Sequence, residues 1–420
     1  MQGKLLAKVN RLIFTILYGK LKIGEVFKAI SLKIRKTLVN NSKIRMNQEK
    51  FAVALSEKNQ DEAIKEVSLK IKTIFPKDIN FLIILFTPGY NPANIIRSSN
   101  LTLKPKKLLG LQAPSLIFGG RIIQKGLIAC CVNKENVSSK EVILKKANSQ
   151  EIETLLRFSF QRTHKENMFL LSLLNPSLSP SSYLNAFRLS LGSAFAQLGV
   201  GYKNQYSQHT YQILDKTISE DSVSIIIEGI RLRSLKLGGY IPLGKPFTIT
   251  KVVPDRSIIR EINDRPAINI YRHYLEEKYP LFMKNRLFSM YPLGINSEGK
   301  LKLVTVTDCL GDGSLVCVGD IKENDWGHLM LLDSSFEFEN LVHKLQGLGN
   351  VENSLIFVVN SLSRKKILKN TSGNELLTLQ KTLGENAKII GLYSDYCLAP
   401  HEEKGFINME AGDVLITLWQ

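Results

Sequence analysis

The stretch from Gly238 to Leu275, GGYIPLGKPFTITKVVPDRSIIREINDRPAINIYRHYL, constrains the chain more than any other segment. Gly238-Gly239, Pro242 and Gly244 punctuate a turn, because glycine supplies positive φ and proline fixes φ. Phe247 to Val253 is β-branched and reads as a strand. Pro254-Asp255 turns the chain, Ser257 to Ile262 reads as a second strand, and Asn263-Asp264 is the next turn. Pro266 then suits a first helical position, where its missing N–H would have no partner anyway. Ala267, Ile270, Tyr271, Tyr274 and Leu275 follow with the spacing of one apolar helix face. A turn, two strands and a helix are therefore expected.

The same residues carry a resemblance. Tyr240, Pro242, Leu243, Gly244, Thr250, Asn263, Asp264, Pro266, Ala267 and Tyr271 match the hallmark of the FIST family. These are two-part sensory modules of bacterial signalling proteins that accompany F-box segments in eukaryotes. The resemblance implies a module that binds a small ligand, usually suggested to be an amino acid, with no catalytic activity. An amino acid or organic acid is the ligand expected here, with no cofactor.

Length and composition agree with a two-part globular chain. The 420 residues are enough for two cores, and 44% hydrophobic content is that of a folded protein. Five cysteines without a CxxC pair point to free thiols in a reducing compartment. No apolar run approaches the roughly 20 residues of a membrane span.

The net charge of +18 is concentrated at one end. Residues 1–45 hold eleven Lys or Arg and one acid, Glu25. Leu5, Val9, Leu12 and Ile16 share a helical face bordered by Lys4, Lys8 and Arg11. Such a basic amphipathic extension reads as a mitochondrial presequence. A helix on an anionic membrane surface and a start codon placed before Met46 are the competing readings. Without a presequence the cytoplasm is the expected location.

From Met46 onward the chain resembles the first FIST half. Phe51 to Leu55 reads as a strand. Asn59 with Glu62 makes a helix cap, and Ala63, Ile64, Val67, Ile71 and Ile74 make the buried stripe behind it. FLIILFTPGY at 81–90 is a buried strand entering a Pro-Gly turn. Gly110, Gly120 and Gly126 keep the family's glycine frame, and Gln112 to Ser115 looks closer to the eukaryotic members. Leu170 to Leu174 is a strand, Leu184, Phe187, Leu191 and Phe195 share a helix face, and Gly199 and Gly201 end that helix. Ser222 to Gly229 is again a strand.

The second half is expected from Tyr271, across a mixed connection at 276–298. Residues 300–319 read as a hairpin turning at Gly311-Asp312-Gly313, 328–333 as a strand, and 335 onward as a helix. SLIFVVNSLSR at 354–364 is a buried strand ending in Asn360 and Arg364. The arginine matches the family pattern, and Asn360 replaces its cysteine. GLYSDYCLAP at 391–400 keeps Gly391, Tyr393 and Pro400, while Tyr396-Cys397 replaces a Gly-Glu pair. A glutamate there would anchor a ligand ammonium; Cys397 reads as a small buried hydrophobe. Arg364 either grips a carboxylate or opens the solvated run Arg364-Lys365-Lys366.

Catalytic signatures are lacking. The six histidines show no HExxH spacing, and there is no GxSxG, Walker loop or GxGxxG with a following acid. Asp308 and Asp312 are too few for a calcium loop. The basic spots near Lys106, Lys145 and Lys366 do not interleave with aromatic residues, which argues against a nucleic-acid partner. Residues 1–45 show no LPxE-like F-box opening.

The resulting expectation is an α+β fold of two lobes, with mixed and antiparallel sheets flanked by helices. Residues 1–45 form the extension, 46–270 a FIST N-type domain and 271–420 a FIST C-type domain. The function is small-ligand sensing without catalysis or metal, with ligand residues Asn204, Tyr240, Arg364 and Asn408. A protein-interaction adaptor and an organellar RNA-associated protein are the alternatives.

Overall fold

The computed structural model describes residues 49–76, 79–132, 137–144, 153–154, 157, 167–174, 189–190, 196–201, 211–219, 221–253, 257–297, 300–318, 321–333, 343–345, 351–394, 396–400, 407–410 and 414–420. Lys50–Gln420 is one compact unit.

One chain motif occurs three times. The first copy runs β1 (Phe51–Ser56), α1 (Gln60–Ile74), β2 (Phe81–Phe86), α2 (Pro92–Thr102), β3 (Lys107–Gln112), a hairpin of β4 (Leu116–Phe118) and β5 (Arg121–Ile123), and β6 (Leu127–Val132). The second runs β7 (Ser138–Leu144), β8 (Met168–Leu174), β9 (Gln197–Gly201), a hairpin of β10 (Gln212–Leu214) and β11 (Thr217–Ser219), and β12 (Ser222–Glu228).

The third copy opens with β13 (Leu232–Leu237) and is then interrupted. The insertion comprises β14 (Tyr240–Val253), β15 (Ile258–Ile262), β16 (Arg265–Pro266), α3 (Asn269–Leu275), α4 (Tyr279–Lys284), β17 (Leu293–Ser297), β18 (Lys300–Cys309), β19 (Leu315–Val318) and β20 (Trp326–Leu332). The copy resumes with β21 (Leu355–Ser361), α5 (Leu362–Leu368), α6 (Ser372–Leu383), β22 (Lys388–Ser394), a hairpin of β23 (Tyr396–Pro400) and β24 (Ile407–Glu410), and β25 (Val414–Trp419).

The three sheets have the same strand pattern. Their orders are β1-β6-β2-β3-β10-β11, β7-β12-β8-β9-β23-β24 and β13-β25-β21-β22-β4-β5. In each, the middle pair is parallel and its flanks are antiparallel. No copy keeps its own hairpin. The first donates to the sheet of the third, the second to the first and the third to the second, which closes a cycle. Each donated hairpin covers the open side of a parallel pair, which would otherwise present unpaired backbone. The halves 46–270 and 271–420 therefore interleave, because two of the three sheets take strands from both.

The inner faces share one core. Phe169 meets Trp419 edge-on at 4.8 Å, and Phe357 stacks on the same indole at 5.6 Å. The outer face of the first sheet is covered by α1 through Ala63, Ile64, Val67 and Ile71, the expected stripe. The outer face of the third is covered by Leu376 and Leu379 of α6. Strands buried on both faces read as continuous apolar runs, and all six residues of FLIILF are buried.

The inserted segment closes on itself. β14 pairs with β20 and β15, β15 with β19, β19 with β18, β18 with β17, and β17 with β20, all antiparallel. This six-stranded ring has its own core, which includes Phe247, Ile249, Tyr271 and Leu293. The α+β class with mixed sheets is thus the architecture observed.

Several local expectations need correction. Pro266 is not helical: it lies in β16 opposite Glu261, and α3 starts at Asn269. Asn263 and Asp264 adopt φ of +48° and +58°, so the turn folds the chain straight back along β15, and the Ala267 N–H to Arg260 O bond extends that ladder. Asn59 occupies the N-cap of α1, but its side chain makes no capping bond. Gly199 and Gly201 lie within β9 and end no helix, because β9 is the parallel partner of β8. The 276–298 connection contains α4 and β17. The helix face at 184–195 lies outside the described residues, apart from Leu189, and so does the helix expected from Ser335, apart from 343–345.

Candidate functional site

The first and third sheets place charged and polar residues differently at the ends of their parallel pairs. Behind β2 lie Pro88 and Gly89, and the Asn91 side chain caps α2 through the Ala93 N–H at 2.9 Å. Behind β21 the chain passes directly into α5. Ser361 caps that helix, its Oγ accepting the Ser363 N–H at 3.1 Å. The strand expected to reach Arg364 therefore stops at Ser361, and Arg364 becomes the third residue of a helix.

That change decides the fate of the arginine. Arg364 is completely buried, so the solvated-run alternative fails for it. Its Nη1 donates to Gly238 O at 2.8 Å, and its Nη2 to Glu375 Oε1 on α6. Glu375 Oε2 also accepts from Asn360 Nδ2 at 3.4 Å. The guanidinium grips a carboxylate, as its chemistry predicts, but an internal one. It also pins the junction where β13 leaves for the inserted barrel.

Lys365 faces the other way. Its Nζ donates to Ser115 Oγ at 2.9 Å and to Gln124 Oε1 at 3.1 Å, both contributed by the first copy of the motif. It also stands 5.1 Å from the Tyr393 ring centroid. Among the described residues no carboxylate pairs with it. Partial burial lowers its pKa, since an ammonium is disfavoured away from water.

Tyr393, under this lysine, is a buried polar residue, and so is its neighbour Asn360. Asn360 and Tyr393 are register partners across β21 and β22. Asn360 Oδ1 and the Tyr393 hydroxyl have no hydrogen-bond partner among the described residues. Burial pushes the Tyr393 phenol well up; Glu375 adds to the shift and Arg364 opposes it. The phenol is thus a neutral donor and acceptor at any physiological pH.

Of the residues expected to bind ligand, Tyr240 begins β14, two positions beyond the Gly238 carbonyl that Arg364 holds. Asn408 lies in β24 opposite Ala399, in the second sheet, and Asn204 lies outside the described residues. Lys365, Glu375, Ser115 and Gln124 were not singled out as ligands. The signal that could have found Lys365 is the Arg-Lys-Lys run itself, had helical phase been applied to it. Cys397 is buried in the shared core.

The hallmark stretch proves to be architectural. Asn263 Oδ1 accepts the Thr248 N–H at 2.8 Å, and Thr250 Oγ1 accepts the Asp264 N–H at 3.1 Å. The Tyr271 hydroxyl donates to Tyr291 O at 2.8 Å. Gly244 adopts φ +72°, and a Cβ there would lie 2.2 Å from the Tyr274 ring. These residues build the barrel.

Comparison with known proteins matches the FIST N domain over residues 80–265 and the FIST C domain over residues 267–395. The chain belongs to the FIST family. In this FIST protein the boundary between the two domain matches falls just before α3, inside the inserted barrel. No curated protein matches the sequence. Among solved structures, cyanuric acid hydrolase from A. caulinodans is 7% identical, with 87% of this chain and 98% of that one covered and a TM-score of 0.33. Among the described residues of the FIST module no three His, Cys, Asp or Glu side chains could hold a metal ion, and no helix is long and apolar enough to cross a membrane.

Proposed function

We propose that this protein is a small-ligand sensory module that leaves its ligand chemically unchanged, and that the ligand seats at the carboxyl end of the β21–β22 pair. FIST domains are ligand-binding sensory modules, and both cover most of the chain. The carboxyl ends of neighbouring parallel strands are where mixed α/β sheets place ligands.

The observation that carries the reading is Lys365. A partly desolvated ammonium with only neutral partners is a ready position for an anionic ligand group. Arg364 cannot serve, because Glu375 already occupies it. An amino acid or an organic acid supplies the needed carboxylate.

Thermal-shift screening of the full chain against amino acids and organic acids tests this. A ligand at about a hundred times its Kd stabilises by about 2.7 kcal/mol and raises Tm by a few degrees. The Lys365→Met variant loses that response. If no compound moves Tm, the reading fails.

A further inference from the structure

We propose that the ligand is a hydroxy acid, with its carboxylate on Lys365 Nζ and its hydroxyl between the Tyr393 hydroxyl and Asn360 Oδ1. This rests on the ligand-binding reading of the same site and names its chemical class. Tyr393 and Asn360 are 0% and 2% exposed, and both present a polar atom without a partner. Buried polar atoms are nearly always paired, so two such atoms on residues that are register partners mark a place where a third group can complete the set.

The chemistry of the pair selects that group. Asn360 Nδ2 is turned to Glu375, which leaves Oδ1, an acceptor only. The Tyr393 phenol both donates and accepts. An alcohol answers both at once: its O–H donates to Asn360 Oδ1 and its lone pair accepts from Tyr393 Oη. A carboxylate on Lys365 and an alcohol at Tyr393 are joined through the contact already present, since the lysine lies over the face of that ring.

An amino acid answers less well. Its ammonium has three donors and no acceptor, so the phenol's proton would stay unpaired. It would also enter a region holding two cations, Arg364 and Lys365. The nearby carboxylate, Glu375, is already neutralised by the arginine and bonded to Asn360. A carboxylate without a hydroxyl has no donor, so it would leave Asn360 Oδ1 unpaired.

The test is calorimetric titration of the full chain with three matched pairs of probes: lactate and malate, alanine and aspartate, propionate and succinate. The expected result is at least tenfold tighter binding of a hydroxy acid than of its amino and deoxy counterparts. Tyr393→Phe reduces the hydroxy acid to the deoxy level, and Lys365→Met abolishes binding of all. Equal affinities for hydroxy and deoxy acids would mean that Tyr393 and Asn360 hold only a buried water, and the proposal falls. Amino acids binding as tightly or more tightly, with sensitivity to Lys365→Met, would overturn the hydroxy-acid class and leave the ligand-binding reading standing. Binding by none would remove both. The probe series on the unaltered chain decides the matter even if Tyr393→Phe does not fold.

Discussion

Lys365 donates a hydrogen bond to Ser115 Oγ at 2.9 Å, although 250 positions of sequence separate them. The contact exists because the first copy of the motif gives its hairpin to the sheet of the third. A cation that bonds only to neutral groups contributes little to stability once its desolvation is counted. Lys365→Met is therefore expected to change the urea midpoint by less than the equivalent of about 1 kcal/mol while removing the ligand response. A loss of several kcal/mol would make Lys365 a structural residue.

The Arg364–Glu375 pair behaves oppositely. Both residues are buried, and removal of one leaves the other charge unmatched. Glu375→Ala is expected to cost about 3–5 kcal/mol by denaturant unfolding. The double variant Arg364→Met with Glu375→Leu should be more stable than Glu375→Ala alone, because no lone charge remains.

Two glycines separate steric need from mere presence. At Gly391 in β22 a Cβ would lie 2.0 Å from Val358 O, a backbone atom of the neighbouring strand. Gly391→Ala is expected to prevent soluble folding or lower Tm by more than ten degrees, roughly the effect of a loss of several kcal/mol. At Gly373 on α6 nothing lies within 4 Å. Gly373→Ala should be neutral or stabilising by up to about 1 kcal/mol, as replacing a helical glycine usually is. Melting curves of the two variants check both.

The thiols give an alkaline prediction. Burial pushes Cys130 up to about 12 from 9.0, and Cys131 and Cys317 also rise. A raised folded-state pKa means that the unfolded chain loses its proton first. Stability is then full below the unfolded value near 9 and falls as pH rises towards 12. Urea midpoints should decline across that window, and Cys130→Ala should flatten the decline. Cys309, only half-buried, should react first with a thiol reagent at pH 8.

The basic extension gives a cellular prediction. Residues 1–45 carry eleven cations and one acid, so a fluorescent reporter fused behind them is expected to reach mitochondria. Diffuse fluorescence would end the presequence proposal.

Much was legible from residues alone. The strands at 81–86, 222–228 and 355–361, the stripe of α1 and the turn at Asn263-Asp264 follow from local rules. Periodicity, β-branching and turn chemistry act within a few residues of one another, so the sequence displays them directly. The hallmark that marked the family was legible for the same reason, since it encodes a hairpin and the helix behind it.

What only the tertiary structure decided depends on distance. The cyclic exchange of hairpins leaves no local mark, because a short strand reads the same whichever sheet receives it. Pro266 shows the point on a small scale, since a residue suited to a helix start was captured by a turn that extended a ladder. Arg364 and Lys365 show it at the site. Adjacent in sequence and alike in charge, they project in different directions from one helical turn, so one meets Glu375 and the other meets a hairpin from the far end of the chain. Charge type is a property of the residue; what it is left to bind is set by which distant side chain reaches it first.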